Sequence, residues 1–272
     1  MKRSKKSLLF LIAGFLIGLG IFSYPALSDY IARRNVIQNV SVYERSVNGL
    51  SEEEIQDMWA EAVAYNASLK GDPVPDPFIP ASGRVLPDNY EKILDQGDSI
   101  MGFVDIPSIS VYLPIRHGAS QSVLAKGAGH IEQTPFPIGG SGNLSVITAH
   151  TGFLQAEMFD RLIEMKVGDT FMLHILDQTL TYQVDQIETI LPEEVSKIYP
   201  IAGQDYVTLM TCTPYGINSH RLLVRGIRIA NQEYEAAQVQ TFVPWKLIVI
   251  LSLGGVVLLV FIGWHLKKRQ KV

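Results

Sequence analysis

YVTLMTCTP, residues 206–214, reads as a β-strand that ends at Pro214. Its β-branched residues favour an extended backbone, and the proline cannot donate a hydrogen bond to a neighbouring strand. Cys212 therefore falls at the end of the strand, where its side chain can reach solvent. The next strand, RLLVR at residues 221–225, follows a polar connection. If the two strands pair antiparallel, Cys212 and Arg221 become neighbours.

The flanking sequence also has the residue pattern of a β-protein. Short β-rich runs separated by Gly, Pro and Asp occur at residues 102–106, 111–115, 144–150, 170–175, 180–190, 206–212 and 221–229. Such spacing predicts a closed antiparallel barrel or a sandwich. Two interruptions, near residues 158–165 and 192–198, are predicted to be helical.

Cys212 is the only cysteine in the chain, so it cannot form an internal disulfide. A lone cysteine is more often a small buried hydrophobic residue than a nucleophile. As a nucleophile it would need a base or a cation, because the thiolate is the reactive form. His150 ends the run 144–150 and is one candidate base. His220, adjacent to Arg221, is a competing candidate that spacing alone does not exclude.

Three further histidines between residues 29 and 246 stand in less distinctive settings, namely His117, His130 and His174. One cysteine and scattered histidines give no metal-ligand spacing, so neither a metal nor a cofactor is expected.

Both ends of the chain are apolar and flanked by basic residues. Residues 7–28 and 247–266 carry no charge, and each is long enough to cross a membrane as a helix. Basic clusters at residues 2–6 and 267–271 predict that both termini are cytoplasmic. For the first block, a cleaved signal peptide is the alternative. The segment between them, 29–246, has a net charge of −12, which argues against nucleic-acid binding.

Between the first apolar block and the β-rich region, a helix is followed by a proline-rich segment. Ser51 and Glu54 form a capping box, and apolar residues then recur at helical spacing, which predicts a helix over residues 51–69. Residues 71–80 contain four prolines, which exclude a helix or a central strand. This segment is therefore predicted to be a loop or an extended strap.

Three motifs together resemble the sortases. These are Thr208-Leu209-Met210-Thr211-Cys212, the arginine nine residues later, and Ala149-His150-Thr151-Gly152, within a similarity that spans about residues 99–229. The resemblance implies an eight-stranded β-barrel in which His150, Cys212 and Arg221 are catalytic. It also implies that Cys212 attacks the threonine carbonyl of an LPXTG-like sorting signal, with His150 transferring protons and Arg221 facing the oxyanion.

Within that family, the strap with Asp76-Pro77-Phe78 and the second apolar block look like class C, the pilus-polymerising sortases. In that class such a strap forms a lid over the active site, so Asp76 would pair with Arg221 while Phe78 covers Cys212. One departure is that many members have Gly-His-Arg-Gly around the histidine. The alternatives are a housekeeping sortase that anchors proteins to the cell wall, a non-catalytic adaptor that binds sorting motifs, and a strap that is only a linker.

The resulting domain prediction has seven parts. They are an N-terminal transmembrane segment or signal anchor (1–28), a helical region (29–71), a proline-rich lid or strap (72–98), a sortase β-barrel (99–232), a linker (233–246), a C-terminal transmembrane helix (247–266) and a basic cytoplasmic tail (267–272). The predicted location is the cell membrane, with the barrel outside. The predicted partners are pilins or other surface proteins with LPXTG-like signals.

Overall fold

The computed structural model describes residues 5–69, 76–78, 89–198, 202–231 and 245–270. The chain divides into two compact units. One contains the described residues of Met1–Arg34, Leu154–Ala156 and Val239–Val272, and the other those of Asn35–Phe153 and Glu157–Gln238.

The second unit contains eight strands that close into a barrel. The strands are β1 (Ile100–Ile106), β2 (Val111–His117), β3 (Ala128–His130), β4 (Asn143–Thr148), β5 (Thr170–Ile175), β6 (Gln178–Ile190), β7 (Asp205–Thr213) and β8 (His220–Arg228). Around the barrel their order is β1-β2-β3-β4-β7-β8-β6-β5. The predicted eight-stranded barrel is therefore confirmed.

The pairing of the strands corrects one expectation, because the barrel is not wholly antiparallel. β2 pairs with β3 in parallel, and so does β4 with β7. The short helix α3 (Gln121–Leu124) lies in the connection between β2 and β3. β5 and β6 form an antiparallel hairpin inserted between β4 and β7 in sequence. Parallel pairing of β4 and β7 brings their C-terminal ends to the same edge of the barrel, which positions the site.

The two predicted interruptions are short 3-10 helices at Leu162–Glu164 and Pro192–Lys197. Further 3-10 turns lie at Tyr90–Lys92 and Pro107–Ile109. The sequence prediction did not identify β3, because Ala-Gly-His is only three residues long and has no β-branched member.

Two longer helices precede the barrel, α1 (Lys5–Asn48) and α2 (Glu52–Ser68). The predicted capping box is present at α2, where Ser51 Oγ accepts from the Glu54 amide and the Glu54 carboxylate accepts from the Ser51 amide. Near its C-terminal end, Asn66 exchanges two hydrogen bonds with the backbone of Phe136, at 2.7 and 3.2 Å. This contact, ten residues before the described strap begins at residue 76, fixes the end of α2 against the barrel.

The last helix, α4, spans Trp245–Gln270. Among the described residues, two helical segments are long and apolar enough to cross a membrane, Leu9–Asn48 and Leu247–Trp264. α1 continues through Pro25 and past residue 28 without a break. Of the predicted strap, only residues 76–78 and 89–98 are described, and the predicted linker 233–246 lies outside the described residues except for 245–246.

Candidate active site

Cys212 and Arg221 lie directly opposite one another on β7 and β8, as the sequence predicted. Cys212 is the second-last residue of β7, and Arg221 is the second residue of β8. Both side chains are nearly inaccessible, with 6% and 4% of their surface exposed. The cysteine is a free thiol. A guanidinium and a thiol are thereby held as cross-strand neighbours at one edge of the barrel.

Arg221 is fixed by an ion pair with the strap. Its Nε donates to Asp76 Oδ2 at 2.8 Å, and both side chains are buried. Its Nη1 donates to the carbonyls of Asn218 and His220, at 3.1 and 3.0 Å. The other carboxylate oxygen of Asp76, Oδ1, accepts from the Phe78 amide at 2.9 Å. Because removing either member of a buried ion pair leaves an uncompensated charge, Asp76 and Arg221 depend on each other.

Phe78 lies in contact with both Arg221 and His150. The Arg221 Cζ is 5.1 Å from the centre of the Phe78 ring, and the His150 ring centre is 5.8 Å from it. Phe78 also packs against an apolar cluster on the barrel, formed by Ala119, Leu124, Ile131, Val146, Val195, Met210 and Leu223. The strap residue therefore occupies an apolar surface beside the Arg221 guanidinium and the His150 ring.

His150 reaches the same edge of the barrel through the parallel pairing of β4 and β7. Thr148 is opposite Met210 in that register, and His150 and Cys212 each lie two residues beyond this pair. The intervening residue is bound to β7 at both ends. The Ala149 amide donates to the Met210 carbonyl at 3.3 Å, and Thr211 Oγ1 donates to the Ala149 carbonyl at 2.7 Å.

The His150 imidazole is also stacked on Phe153, with ring centres 5.3 Å apart and planes 16° from parallel. Its ring therefore has an aromatic neighbour from its own loop, Phe153, and one from the strap, Phe78. Phe153 lies in the loop that follows β4, whereas Phe78 lies in the strap that precedes the barrel in sequence.

Burial shifts the pKa values of Cys212 and His150 in opposite directions. It raises the pKa of the Cys212 thiol, an effect that Arg221 opposes and Asp76 reinforces. It lowers the pKa of His150, and the nearby carboxylate of Asp160 opposes that shift. With the strap in place, the neutral thiol and the neutral imidazole are therefore favoured over the thiolate and the imidazolium.

The competing histidines occupy other environments. His220 is opposite Thr213, and its Nδ1 lies 2.9 Å from Ser219 Oγ. His130 is fully buried and stacked on Phe136, and burial lowers its pKa to about 3. His117 has a backbone carbonyl near each ring nitrogen, and His174 lies 3.9 Å from Asp105. Within the described ranges, no group of three His, Cys, Asp or Glu residues could hold a metal ion.

Sequence reasoning missed three residues that contact the His150 loop, namely Phe153, Asp160 and Thr211. Thr211 belongs to the sequence motif, but the motif does not indicate that its hydroxyl donates to the carbonyl of Ala149, the residue before His150. Asp160 lies inside the run 158–165 that was predicted to be helical, and its bonds to the Gly152 and Met158 amides have no counterpart in the sequence pattern.

The family described as "Sortase domain" matches residues 104–229 of the chain. Among solved structures, Streptococcus pneumoniae sortase C is 42% identical, with a TM-score of 0.66, and the match covers 71% of this chain and 97% of that one. A pilus-related sortase C of Group B Streptococcus is also 42% identical, with a TM-score of 0.65 and coverage of 70% and 96%.

A curated relative is sortase A of Bacillus anthracis. It is 24% identical over 221 residues, which is 80% of this chain and 90% of that protein.

Proposed function

Because the chain belongs to the sortase family, we propose that it is a membrane-anchored cysteine transpeptidase that joins pilin subunits. The observation that supports the proposal is that strand pairing brings three residues to one edge of the barrel. Cys212 lies on β7, Arg221 lies opposite it on β8, and His150 follows β4, the parallel neighbour of β7. A nucleophile, a proton carrier and a fixed cation are the groups that acyl transfer from a peptide needs.

In the first half-reaction, the Cys212 thiolate attacks the threonine carbonyl of an LPXTG-like signal. The tetrahedral intermediate collapses as the bond from threonine to glycine breaks, and the His150 imidazolium gives its proton to the leaving glycine amine. A thioester between the threonine carbonyl and the Cys212 sulfur remains. Arg221 faces the negative charge that develops on the carbonyl oxygen, a contribution of about 3 kcal/mol for one well-placed donor.

In the second half-reaction, a lysine amine of the next pilin attacks the thioester. Neutral His150 accepts the proton from this amine, and the thiolate of Cys212 leaves. The new isopeptide bond joins the two subunits, and the imidazolium and thiolate are regenerated. The same histidine thus serves as acid and then as base, which requires it to stay beside the sulfur through both steps.

We propose that the strap is a lid that imitates part of the substrate. Asp76 neutralises Arg221, the group assigned to the oxyanion, and Phe78 covers the apolar cluster next to Cys212. A sorting signal with an apolar leucine would compete with Phe78 for this surface. The lid must therefore move before substrate binds, and its described contacts, which include an ion pair and a packed ring, are suited to reversible opening.

The similarity to sortases C supports a pilin-joining enzyme over a housekeeping sortase. The solved structures at 42% identity are sortases C, and one of them is described as pilus-related. The curated sortase A is less similar, at 24% identity. The housekeeping activity is the alternative, because the two reactions share the thioester and differ only in the amine that attacks it.

We propose that the two apolar helical segments, Leu9–Asn48 and Leu247–Trp264, hold the enzyme in the cell membrane with both termini in the cytoplasm. Basic residues flank the outer ends of both apolar blocks, which favours that orientation. Protease added to protoplasts should then digest the barrel and spare tags placed at either terminus. Loss of the N-terminal tag would indicate signal cleavage or an outward terminus.

The test is a ligation assay with a choice of amines. The protein is incubated with an LPXTG peptide together with a lysine-bearing pilin and a cell-wall precursor amine, and products are identified by mass. We expect the pilin lysine to be joined to the peptide. A product with the wall amine alone would make the protein a housekeeping sortase, and the absence of any product would favour an adaptor.

A further inference from the structure

The loop after β4 carries a carboxylate that has no role in the scheme above, that of Asp160. Both of its oxygens accept backbone hydrogen bonds within the loop. Oδ1 accepts from the Gly152 amide at 2.8 Å, and Oδ2 accepts from the Met158 amide at 2.9 Å. Gly152, two residues after His150, has a φ of +78°, where a side chain would be strained. Asp160 thereby holds the turn that follows His150.

The segment around Asp160 binds His150 itself. The Phe159 amide donates to the His150 carbonyl at 3.0 Å. The backbone from residue 150 to residue 152 is therefore bonded on one side to residues 158–160. These hydrogen bonds fix the backbone that carries His150 and do not involve its imidazole.

On the other side, the same loop is bonded to β7 through two hydroxyl groups. Thr211 Oγ1 donates its single proton to the Ala149 carbonyl, and it lies 2.7 Å from Thr151 Oγ1. The single proton of the Thr151 hydroxyl has two acceptors within reach, Thr211 Oγ1 and the Phe159 carbonyl oxygen at 3.3 Å. Since Thr211 precedes Cys212, these bonds link the histidine loop to the residue next to the thiol. His150 is held between β7 and the Asp160 segment.

Asp160 also acts on His150 through its charge. Its hydrogen bonds are to neutral amides, so they leave the negative charge uncompensated. Burial lowers the pKa of His150, and Asp160 is the carboxylate that opposes this shift. In the described part of the chain, Arg221 and Asp76 are linked to His150 through the Phe78 ring, and these two charged groups form an ion pair. The Cys212 thiol lies on the β7 side.

We propose, on the premise that His150 is the acid and base of the transpeptidation above, that Asp160 is its positioning residue. It fixes the loop that carries the imidazole beside Cys212, and its charge favours the imidazolium over the neutral ring. Asp160 acts through His150 and does not touch the substrate. The assignment deepens the proposed function and adds a fourth side chain to the site.

The shape of the pH profile distinguishes this role from a merely structural one. Activity requires the thiolate and the imidazolium in the same molecule. Since burial lowers the pKa of His150 and raises that of Cys212, the acidic limb of kcat/KM against pH reports the histidine. Removing the Asp160 charge should move that limb to lower pH and lower the plateau by about tenfold for each pH unit of the move.

The experiment compares Asp160→Asn with Asp169→Asn in the full-length protein. Asp169 is a matched control, because its Oδ2 also accepts a backbone amide bond, from Lys166 at 2.9 Å, just before β5. β5 is adjacent to neither β4 nor β7 in the barrel. Measured quantities are kcat/KM across pH with an LPXTG peptide, the NMR titration of the His150 ring, and thermal unfolding.

We expect Asp160→Asn to lower the His150 titration midpoint and the plateau together, and Asp169→Asn to leave both unchanged. Asp160→Glu, which keeps the charge but not the short reach to two amides, should titrate near the wild-type midpoint with a reduced kcat. This variant also tests the proposal if Asp160→Asn fails to fold. An Asp160→Asn protein that is folded and has the wild-type His150 midpoint would overturn the inference.

Failure of the proposed function would look different. A wild-type protein without turnover would remove the transpeptidase assignment and with it the premise. An active wild type whose two asparagine variants behave alike would remove only the role of Asp160.

Discussion

The barrel residues of the site and the strap residues of the site are held in different ways. Cys212 and Arg221 are fixed by strand pairing, and the His150 backbone by hydrogen bonds from β7 and from residues 158–160. The described contacts of Asp76 and Phe78 include a buried ion pair, a local amide bond and the packing of the Phe78 ring. None of these described contacts belongs to a strand ladder, so the proposed lid opens while the strand pairing of the barrel stays intact.

This difference predicts opposite signs for substitutions in the two regions. A substitution of a barrel residue of the site should lower the ligation rate. A substitution of a strap residue should raise the accessibility of Cys212.

The largest effect is expected for the barrel residues. Cys212→Ala should abolish transpeptidation, and His150→Ala should nearly do so, because nucleophile and proton carrier are each indispensable. Arg221→Ala should lose at least about a hundredfold in kcat, the usual scale for one oxyanion donor. Ligation rates measured with a folded-state check by circular dichroism test this. Near-wild-type turnover of His150→Ala would transfer the role to another histidine, with His220 first.

A smaller effect of opposite sign is expected for Phe78→Ala. Because Cys212 is the only cysteine, its alkylation rate reports how often the site is open, multiplied by the thiolate fraction. Full burial of a phenylalanine side chain is worth about 1.5–3 kcal/mol and Phe78 is partly buried, so its loss should raise the open population and the alkylation rate several-fold at every pH.

Phe153→Ala is the matched control for Phe78→Ala, since both rings contact the His150 imidazole. Phe153 belongs to the barrel domain, so its loss should not raise alkylation and should slow ligation by a few fold through a less ordered histidine. Equal acceleration by both variants would show that any gap beside His150 opens the site and that the strap has no special role.

The smallest effect, and the most specific, is expected for Asp76→Asn. Asp76 raises the pKa of Cys212, so its neutralisation should lower that pKa and move the alkylation profile to lower pH. The loss of the ion pair should also favour opening, which raises the rate at all pH values. Combined with Phe78→Ala, the increase should be less than additive, because both changes release one element. A profile that rises without moving along the pH axis would remove the electrostatic role of Asp76.

The sequence predicted the pair on β7 and β8 because that pair is local. One hairpin joins the two strands, so the end of one must meet the start of the next, and Cys212 and Arg221 are partners in the structure. The capping box at Ser51 is equally local and is also confirmed. The eight-stranded barrel followed from the family resemblance together with the spacing of the strands.

What the sequence did not reveal depends on pairing between distant segments. The parallel contact of β4 with β7 joins residues more than 60 positions apart, with the β5–β6 hairpin between them. Strand pattern alone cannot distinguish it from an antiparallel neighbour, so the prediction chose the wrong direction. Asp160 was missed for a related reason, because its bonds to Gly152 and Met158 exist only once the loop has folded back on itself.

The central claim is that Cys212 is an acyl-accepting nucleophile whose access is limited by the strap. The most direct measurement is the intact mass of wild type, Phe78→Ala and Cys212→Ala after incubation with an LPXTG peptide and no amine acceptor. We predict a thioacyl adduct on Cys212 that forms faster in Phe78→Ala than in wild type and is absent in Cys212→Ala. No adduct in either cysteine-containing protein, or an adduct that persists in Cys212→Ala, would contradict the account.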